Sequence, residues 1–203
     1  SSVQVVAFLD SDDEWLPDHL ARALQAISGG VDFYFADHQR SDWPQSKFAQ
    51  LSVAESGHTP LPCLDDLLTW QGPMLPAVMR DHVIQTSTVV CRRSVTTDCA
   101  FPTDLVLGED EVYCMHLIRR STHVGVSLRV AAQLGRGVNI SQGGAWGDGR
   151  SIELLLQNVV YWHSVATKLP GESTLGPLRQ ERLQALRKVL WRTWLHRLRR
   201  GHL

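Results

Sequence analysis

Paired cysteines, long apolar runs and a strong charge of either sign are all missing from this chain. It has 203 residues and four cysteines, Cys63, Cys91, Cys99 and Cys114. None falls in a Cys-x-x-Cys pair, so the spacing offers no zinc site. All four sit in or beside apolar segments, which predicts reduced, buried thiols in a cytosolic protein. No apolar run approaches the ~18 residues of a membrane-spanning helix. No secretory leader is visible either, so the expected location is cytoplasmic. The net charge of −1 excludes a general nucleic-acid coat, which needs a basic surface. Internal repeats and low-complexity tracts are absent as well.

What is present suits one sizeable core, since 43% of the residues are apolar. The charge is unevenly spread. Between Gly176 and Leu203 there are eight Lys/Arg and one acid, Glu181, which leaves an acidic body with a basic tail. Such a tail points to a partner or a membrane surface at that end.

Val3 to Leu9 is a Val-rich run that reads as a strand buried on both faces, as in a parallel sheet. Acids follow at once. Pro17 then opens a helix with Leu20, Leu24 and Ile27 at helical spacing, and Ser28-Gly29-Gly30 stops it. Val31 to Ala36 reads as a second strand, which completes an α/β unit. Asp37 to Thr59 reads as an irregular polar loop, Leu64 to Trp70 as a short helix, Gln71 to Leu75 as a turn, and Thr86 to Arg92 as a strand. Further on, Glu111 to Arg119 reads as a helix with Val112, Met115 and Ile118 on one face, and Val124 to Ala132 as a strand. Gly143 to Gly149 holds four glycines and predicts a mobile loop. Helices are expected over 152–167 and 178–199.

The acids at the end of the first strand carry the functional signal. In open α/β sheets the ligand crevice lies outside the carboxyl ends of the strands. Asp10 and Asp12, one residue apart there, could hold a hard divalent cation, Mg²⁺ or Mn²⁺, shared with substrate phosphates. The competing reading is a solvated turn in which Asp12 or Asp13 caps the next helix. An EF-hand loop beginning at Asp10 is excluded, because it would need Gly where Trp15 stands and Glu where Ala21 stands. A phosphatase with an aspartate nucleophile would follow Asp-x-Asp with Thr or Val and then Gly; Asp13 and Glu14 follow instead.

Phe8-Leu9-Asp10-Ser11-Asp12-Asp13-Glu14-Trp15-Leu16-Pro17 resembles the DxD segment of family 2 glycosyltransferases of the GT-A fold. Later segments resemble the family in order: Ile84 to Arg93, then Phe101-Pro102 through Gly108-Glu109-Asp110, then Gly135 to Ser141. The resemblance implies a GT-A-like (Rossmann-like) mixed sheet flanked by helices. The partial domain would span residues 1–150, with a C-terminal helical extension over 151–203. It also implies that the strands ahead of the DxD strand, which carry the nucleobase pocket, are absent from the chain, as in an N-terminally truncated domain or a fragment.

The implied chemistry is metal-dependent, inverting transfer of a sugar from a nucleotide-sugar donor, as in polysaccharide biosynthesis. The acceptor would be a hydroxyl of a saccharide or a lipid-linked molecule. Asp10, Asp12 and Asp13 would bind the donor's diphosphate, with Asp12 and then Asp10 on the metal, Mg²⁺ or Mn²⁺. Asp110 would be the catalytic base, and Glu109 would orient the acceptor or the base. The other reading of Glu109-Asp110 is simple helix capping. Trp146, in the Gly-rich loop, could stack on an acceptor sugar. Gln142 and Trp146 share the spacing of the Gln-x-x-Arg-Trp motif of processive synthases, but Ala145 replaces its Arg. A catalytically inactive remnant that serves as a binding or assembly module is the alternative.

At the C-terminus, Leu183, Leu186, Leu190 and Trp194 follow helical spacing, with Trp191, Leu195 and Leu198 beside them and basic residues around. This predicts either peripheral contact with an anionic membrane at its inner face or a helix packed on the domain with a solvated basic face.

Overall fold

Phe33, Tyr34, Phe35 and Ala36 are each completely buried, and they lie on the central strand of a mixed sheet. The computed structural model describes residues 4–51, 53, 58–62, 64–135 and 149–199. The strands are β1 (Val5–Ala7), β2 (Glu14–Trp15), β3 (Phe33–Arg40), β4 (Thr59–Pro60), β5 (Leu67–Thr69), β6 (Val90–Arg92) and β7 (Val124–Leu134). The helices are α1 (His19–Ser28), α2 (Lys47–Leu51), α3 (Met74–Asp81), α4 (Arg93–Thr96), α5 (Glu109–Arg119), α6 (Gly149–Lys168) and α7 (Gly176–Arg199). The sheet order is β1-β6-β3-β7-β5-β4, with β2 paired to the far end of β7. Only β3 and β7 run parallel; the other pairs are antiparallel. This is the expected α/β class: a mixed sheet flanked by helices, with two long helices at the C-terminal end.

The chain divides into two compact units. One comprises Ser1–Phe101 and Tyr113–Gly137, and the other Pro102–Val112 and Val138–Leu203. The first holds the sheet. Alternation along β3 sends Tyr34 and Ala36 into a cluster with Ala23, Ala26 and Ile27 of α1. The Phe35 ring packs against Phe33, Phe48 and Trp70, with centroids 6.3, 5.9 and 6.1 Å away. The second unit is built on α6 and α7. In it Lys168 Nζ donates to both carboxylate oxygens of Asp104 at 2.6 and 2.8 Å.

Several local expectations are corrected. The first strand is not buried on both faces in a parallel arrangement. Among the described residues β1 pairs only with β6, antiparallel, and its burial is partial. The Leu64–Trp70 segment is not helical: Leu67–Thr69 is a strand between β4 and β7, because tertiary pairing decides short apolar runs that periodicity leaves ambiguous. Thr86–Thr88 is a 3₁₀ turn and only Val90–Arg92 is extended. Met74 already begins α3. β3 continues through polar Asp37 to Arg40 because β7 pairs with it that far. Helix α1 buries His19, Ala23, Ala26 and Ile27, whereas Leu20 and Leu24 of the expected stripe are 40% and 47% exposed. Of the thiols, Cys91 and Cys114 are buried, Cys99 is half-buried, and Cys63 lies outside the described residues.

Two histidines of the first unit are buried. His19 lies between Trp15 and Tyr34, and neither of its ring nitrogens finds a hydrogen-bond partner among the described residues. His38 lies between Trp43 and Phe48. Burial pushes each imidazole down to about 4, helped at His38 by the Lys47 charge. A pKa lowered on folding favours the neutral ring. Its stabilising effect is therefore complete above ~6.5, the unfolded value, and is lost as pH falls from there toward the folded value. The loss is on the order of 3 kcal/mol per histidine. Asp37, whose carboxyl burial raises, acts in the opposite direction. Urea melts between pH 7 and pH 4 should show falling stability across this window, and His19→Phe should remove part of the slope.

Candidate functional site

The acidic segment leaves β1 and turns back before β2. The Asp13 N–H donates to the Asp10 carbonyl at 3.1 Å and closes the turn. Three positions far along the chain then fix it. The Ser87 hydroxyl donates to Asp13 Oδ2 at 2.6 Å and accepts from the Asp10 N–H at 3.0 Å. Gln85 Nε2 reaches Asp10 Oδ2 at 3.5 Å and Asp13 Oδ2 at 3.4 Å. The Gly135 N–H donates to Asp13 Oδ1 at 2.9 Å. The Trp15 indole N–H donates to the Ser87 carbonyl at 2.6 Å and clamps the outgoing chain.

The consequence is a division of labour among the three aspartates. Asp13 is half-buried, and both of its oxygens accept bonds from the frame. Asp10 and Asp12 are exposed. The capping reading fails for Asp12 and Asp13, because α1 begins only at His19 with Asp18 at its cap and no side-chain cap bond. Among the described residues no three His, Cys, Asp or Glu side chains group as a metal cage. Two exposed carboxylates still fit Mg²⁺ or Mn²⁺, which keep waters and take phosphate oxygens for their remaining positions. They would not suit a cation that needs an all-protein shell.

Sequence reading placed Gln85, Ser87 and Gly135 in segments that resemble the family but gave none of them a role at the acidic turn. Each acts through a contact formed only when distant segments meet, and a polar Gln-Thr-Ser ahead of an apolar run carries no sign of it. Ser87→Ala should remove two of these bonds and leave the Asp13 carboxylate one donor short. A cost of about 1–3 kcal/mol is expected in a urea melt.

Beside the turn lies an aromatic group. The Phe8 ring meets Phe101 and Tyr113 edge-on, with centroids 6.3 and 5.7 Å away, and Phe101 stacks on Tyr113 at 4.0 Å. Burial pushes the Tyr113 hydroxyl up to about 12, so it stays protonated.

The Gly108-Glu109-Asp110 segment belongs to the second unit. Gly108 has φ +75, and the Tyr161 ring lies so close that a Cβ there would come within 2.4 Å of it. Only glycine fits both constraints. Glu109, Asp110 and Glu111 form the first turn of α5, where acids complement the helix dipole. That role suits the capping reading and also leaves the Asp110 side chain exposed. Tyr161 donates to Glu111 Oε2 at 2.7 Å, and its own pKa is raised by burial and then by the Glu111 charge. The helix end is thus held by a tyrosine that no local motif signals. Of the remaining candidates, Glu109 is half-buried and Trp146 lies outside the described residues.

No protein-family profile matches the chain. In sequence it is similar to the succinoglycan biosynthesis protein ExoW of Rhizobium meliloti (strain 1021), at 29% identity over 195 residues that cover 92% of this chain and 60% of that protein. It thus spans less than two thirds of that relative's length. Among solved structures, S. aureus TarS 1-349 has 16% identity, a TM-score of 0.45, and coverage of 80% of this chain and 41% of that one. The same protein in complex with UDP-GlcNAc has 16% identity, a TM-score of 0.47, and coverage of 80% and 43%. The sequence match supports the resemblance to family 2 glycosyltransferases.

Proposed function

We propose that this chain carries part of an inverting, metal-dependent glycosyltransferase that works in the cytoplasm on polysaccharide assembly. The carrying observation is the exposed Asp10–Asp12 pair, held at the end of β1 by Ser87, Gln85 and Gly135. The relationship to a succinoglycan biosynthesis protein supports the class of reaction. A nucleotide sugar would be the donor, and a hydroxyl of a saccharide or lipid-linked molecule the acceptor.

Asp12, and with it Asp10, would hold Mg²⁺ or Mn²⁺ against the donor diphosphate. When bound, the cation would offset the negative charge that develops on the departing nucleoside diphosphate. Asp13 keeps the turn in shape through its own hydrogen bonds, and by the resemblance it would join Asp10 and Asp12 in binding the donor diphosphate. By the resemblance, Asp110 would take the proton of the attacking hydroxyl, since a neutral hydroxyl is a poor nucleophile. Attack opposite the leaving group inverts the anomeric centre. Glu109, in the same helical turn, would orient the acceptor.

Titration calorimetry with UDP and GDP, with and without Mn²⁺, tests this reading. We expect metal-dependent binding of one nucleotide, weakened at least about tenfold in Asp12→Ala with folding unchanged; tenfold corresponds to the loss of ~1.4 kcal/mol. If neither nucleotide binds when metal is present, the transferase reading fails for this chain by itself, and a non-catalytic binding or assembly module takes its place.

A further inference from the structure

Helix α7 leaves part of its expected apolar stripe uncovered. Leu178, Leu183 and Thr193 are buried, and Leu186 and Leu190 are half-buried. Trp191 and Trp194 are instead 60% and 44% exposed. At 3.6 residues per turn, Arg187, Trp191, Leu195 and Leu198 share a side of the helix turned away from Leu186 and Thr193, and Trp194 lies between that side and the row of Leu183 and Leu190. The two indoles stack on each other, with centroids 5.1 Å apart and planes 26° from parallel. Arg187, Lys188, Arg192 and Arg199 are exposed around them. From Arg182 to Arg199 there are six Lys/Arg and no acid.

Folding does not explain this face. The leucine side already anchors α7, while the largest apolar side chains of the helix stay in water. Charge complementarity decides what covers it. A second copy would bring cation against cation in an isologous contact. An anionic bilayer meets both needs at once. Indoles settle at the level of the headgroups, and arginine and lysine reach the lipid phosphates along their aliphatic stems. Among the described residues no helix is long and apolar enough to cross a membrane, so the contact would lie on the surface.

We infer that the Trp191–Trp194 face of α7, with Arg187, Lys188 and Arg192, docks on the surface of an anionic phospholipid bilayer. The inference is independent of the transfer reaction, because a chain that binds no nucleotide would still bind vesicles.

The test is co-sedimentation of the full 203-residue chain with vesicles of phosphatidylcholine alone or mixed with phosphatidylglycerol. Binding is expected only to the mixed vesicles and should weaken at least about tenfold in high salt. Trp191→Ala/Trp194→Ala should lose binding about tenfold or more without a change in melting temperature, because both side chains are exposed. Arg187→Gln/Lys188→Gln/Arg192→Gln should do the same. Brominated lipid should quench tryptophan emission of the unsubstituted chain, which needs no variant to fold. Equal sedimentation with both vesicle types, or wild-type binding by the Trp variant, would overturn the inference. So would a Trp-dependent dimer in sedimentation velocity, or a single-stranded oligonucleotide retained by the same residues while vesicles are not.

Discussion

Asp110→Asn should lower the rate of nucleoside diphosphate release from the donor by about 10²–10⁴-fold, the usual contribution of a general base. Asn keeps the size and polarity of the side chain but cannot accept a proton at neutral pH. The substitution falls in the first turn of α5, where Asp110 Oδ1 also accepts the Glu111 N–H at 2.7 Å. The Asn carbonyl can still accept that bond, so the helix end should hold and melting should shift little. Nucleotide binding with Mn²⁺ should remain. A base would therefore show as lost turnover with binding intact, whereas a merely capping carboxylate would show as a small loss of stability with turnover unchanged. The assay is a coupled measurement of UDP or GDP release across candidate sugars, run beside calorimetry on the same samples. Retained turnover in Asp110→Asn would remove the catalytic role from this residue.

The second large effect should come from Gly135→Ala, which adds one methyl group and removes no functional group. A Cβ at Gly135 would lie 2.0 Å from the Asp12 carbonyl oxygen and 2.7 Å from its carbonyl carbon. These are backbone atoms, so no rotamer change relieves the overlap. Either the Asp10–Asp13 turn or the end of β7 must move, and the Gly135 N–H to Asp13 bond goes with it. Overpacking of this kind costs typically about 1–3 kcal/mol. Metal-dependent nucleotide binding should fall as far as in Asp12→Ala. Gly176→Ala is the control, since nothing lies within 4 Å of its added Cβ. If Gly135→Ala binds nucleotide normally, the turn is more tolerant than its contacts imply and the site does not depend on that geometry.

Much of the architecture was legible because it rests on long, strongly patterned segments. The two C-terminal helices, α5 and the two ladder strands β3 and β7 lie within a few residues of where periodicity puts them. What failed were short elements whose state is set by neighbours. Leu67–Thr69 is a strand because β7 and β4 pair with it, and the same residues in isolation would suit a helix as well. The exposed tryptophans of α7 are a related case. Spacing shows which residues share a stripe, but not how much of it the rest of the unit covers. At the candidate site, the acidic turn announces itself by composition and position after a strand. Its supports do not, because Ser87 and Gly135 are ordinary residues made specific by contacts 74 and 122 positions away from Asp13.

The parallel pairing of β3 with β7 also governs how the chain comes to be folded. Phe33 pairs with Val124, and Asp32 Oδ2 accepts from the His123 N–H across 91 positions. During synthesis the Phe-Tyr-Phe-Ala run therefore emerges long before its main partner exists. Closing so large a loop precedes any gain from the ladder, which makes assembly slow and leaves an apolar strand uncovered meanwhile. Nascent chains stalled before residue 124 should accordingly associate with holdase chaperones or aggregate. Release should follow once β7 has left the ribosome.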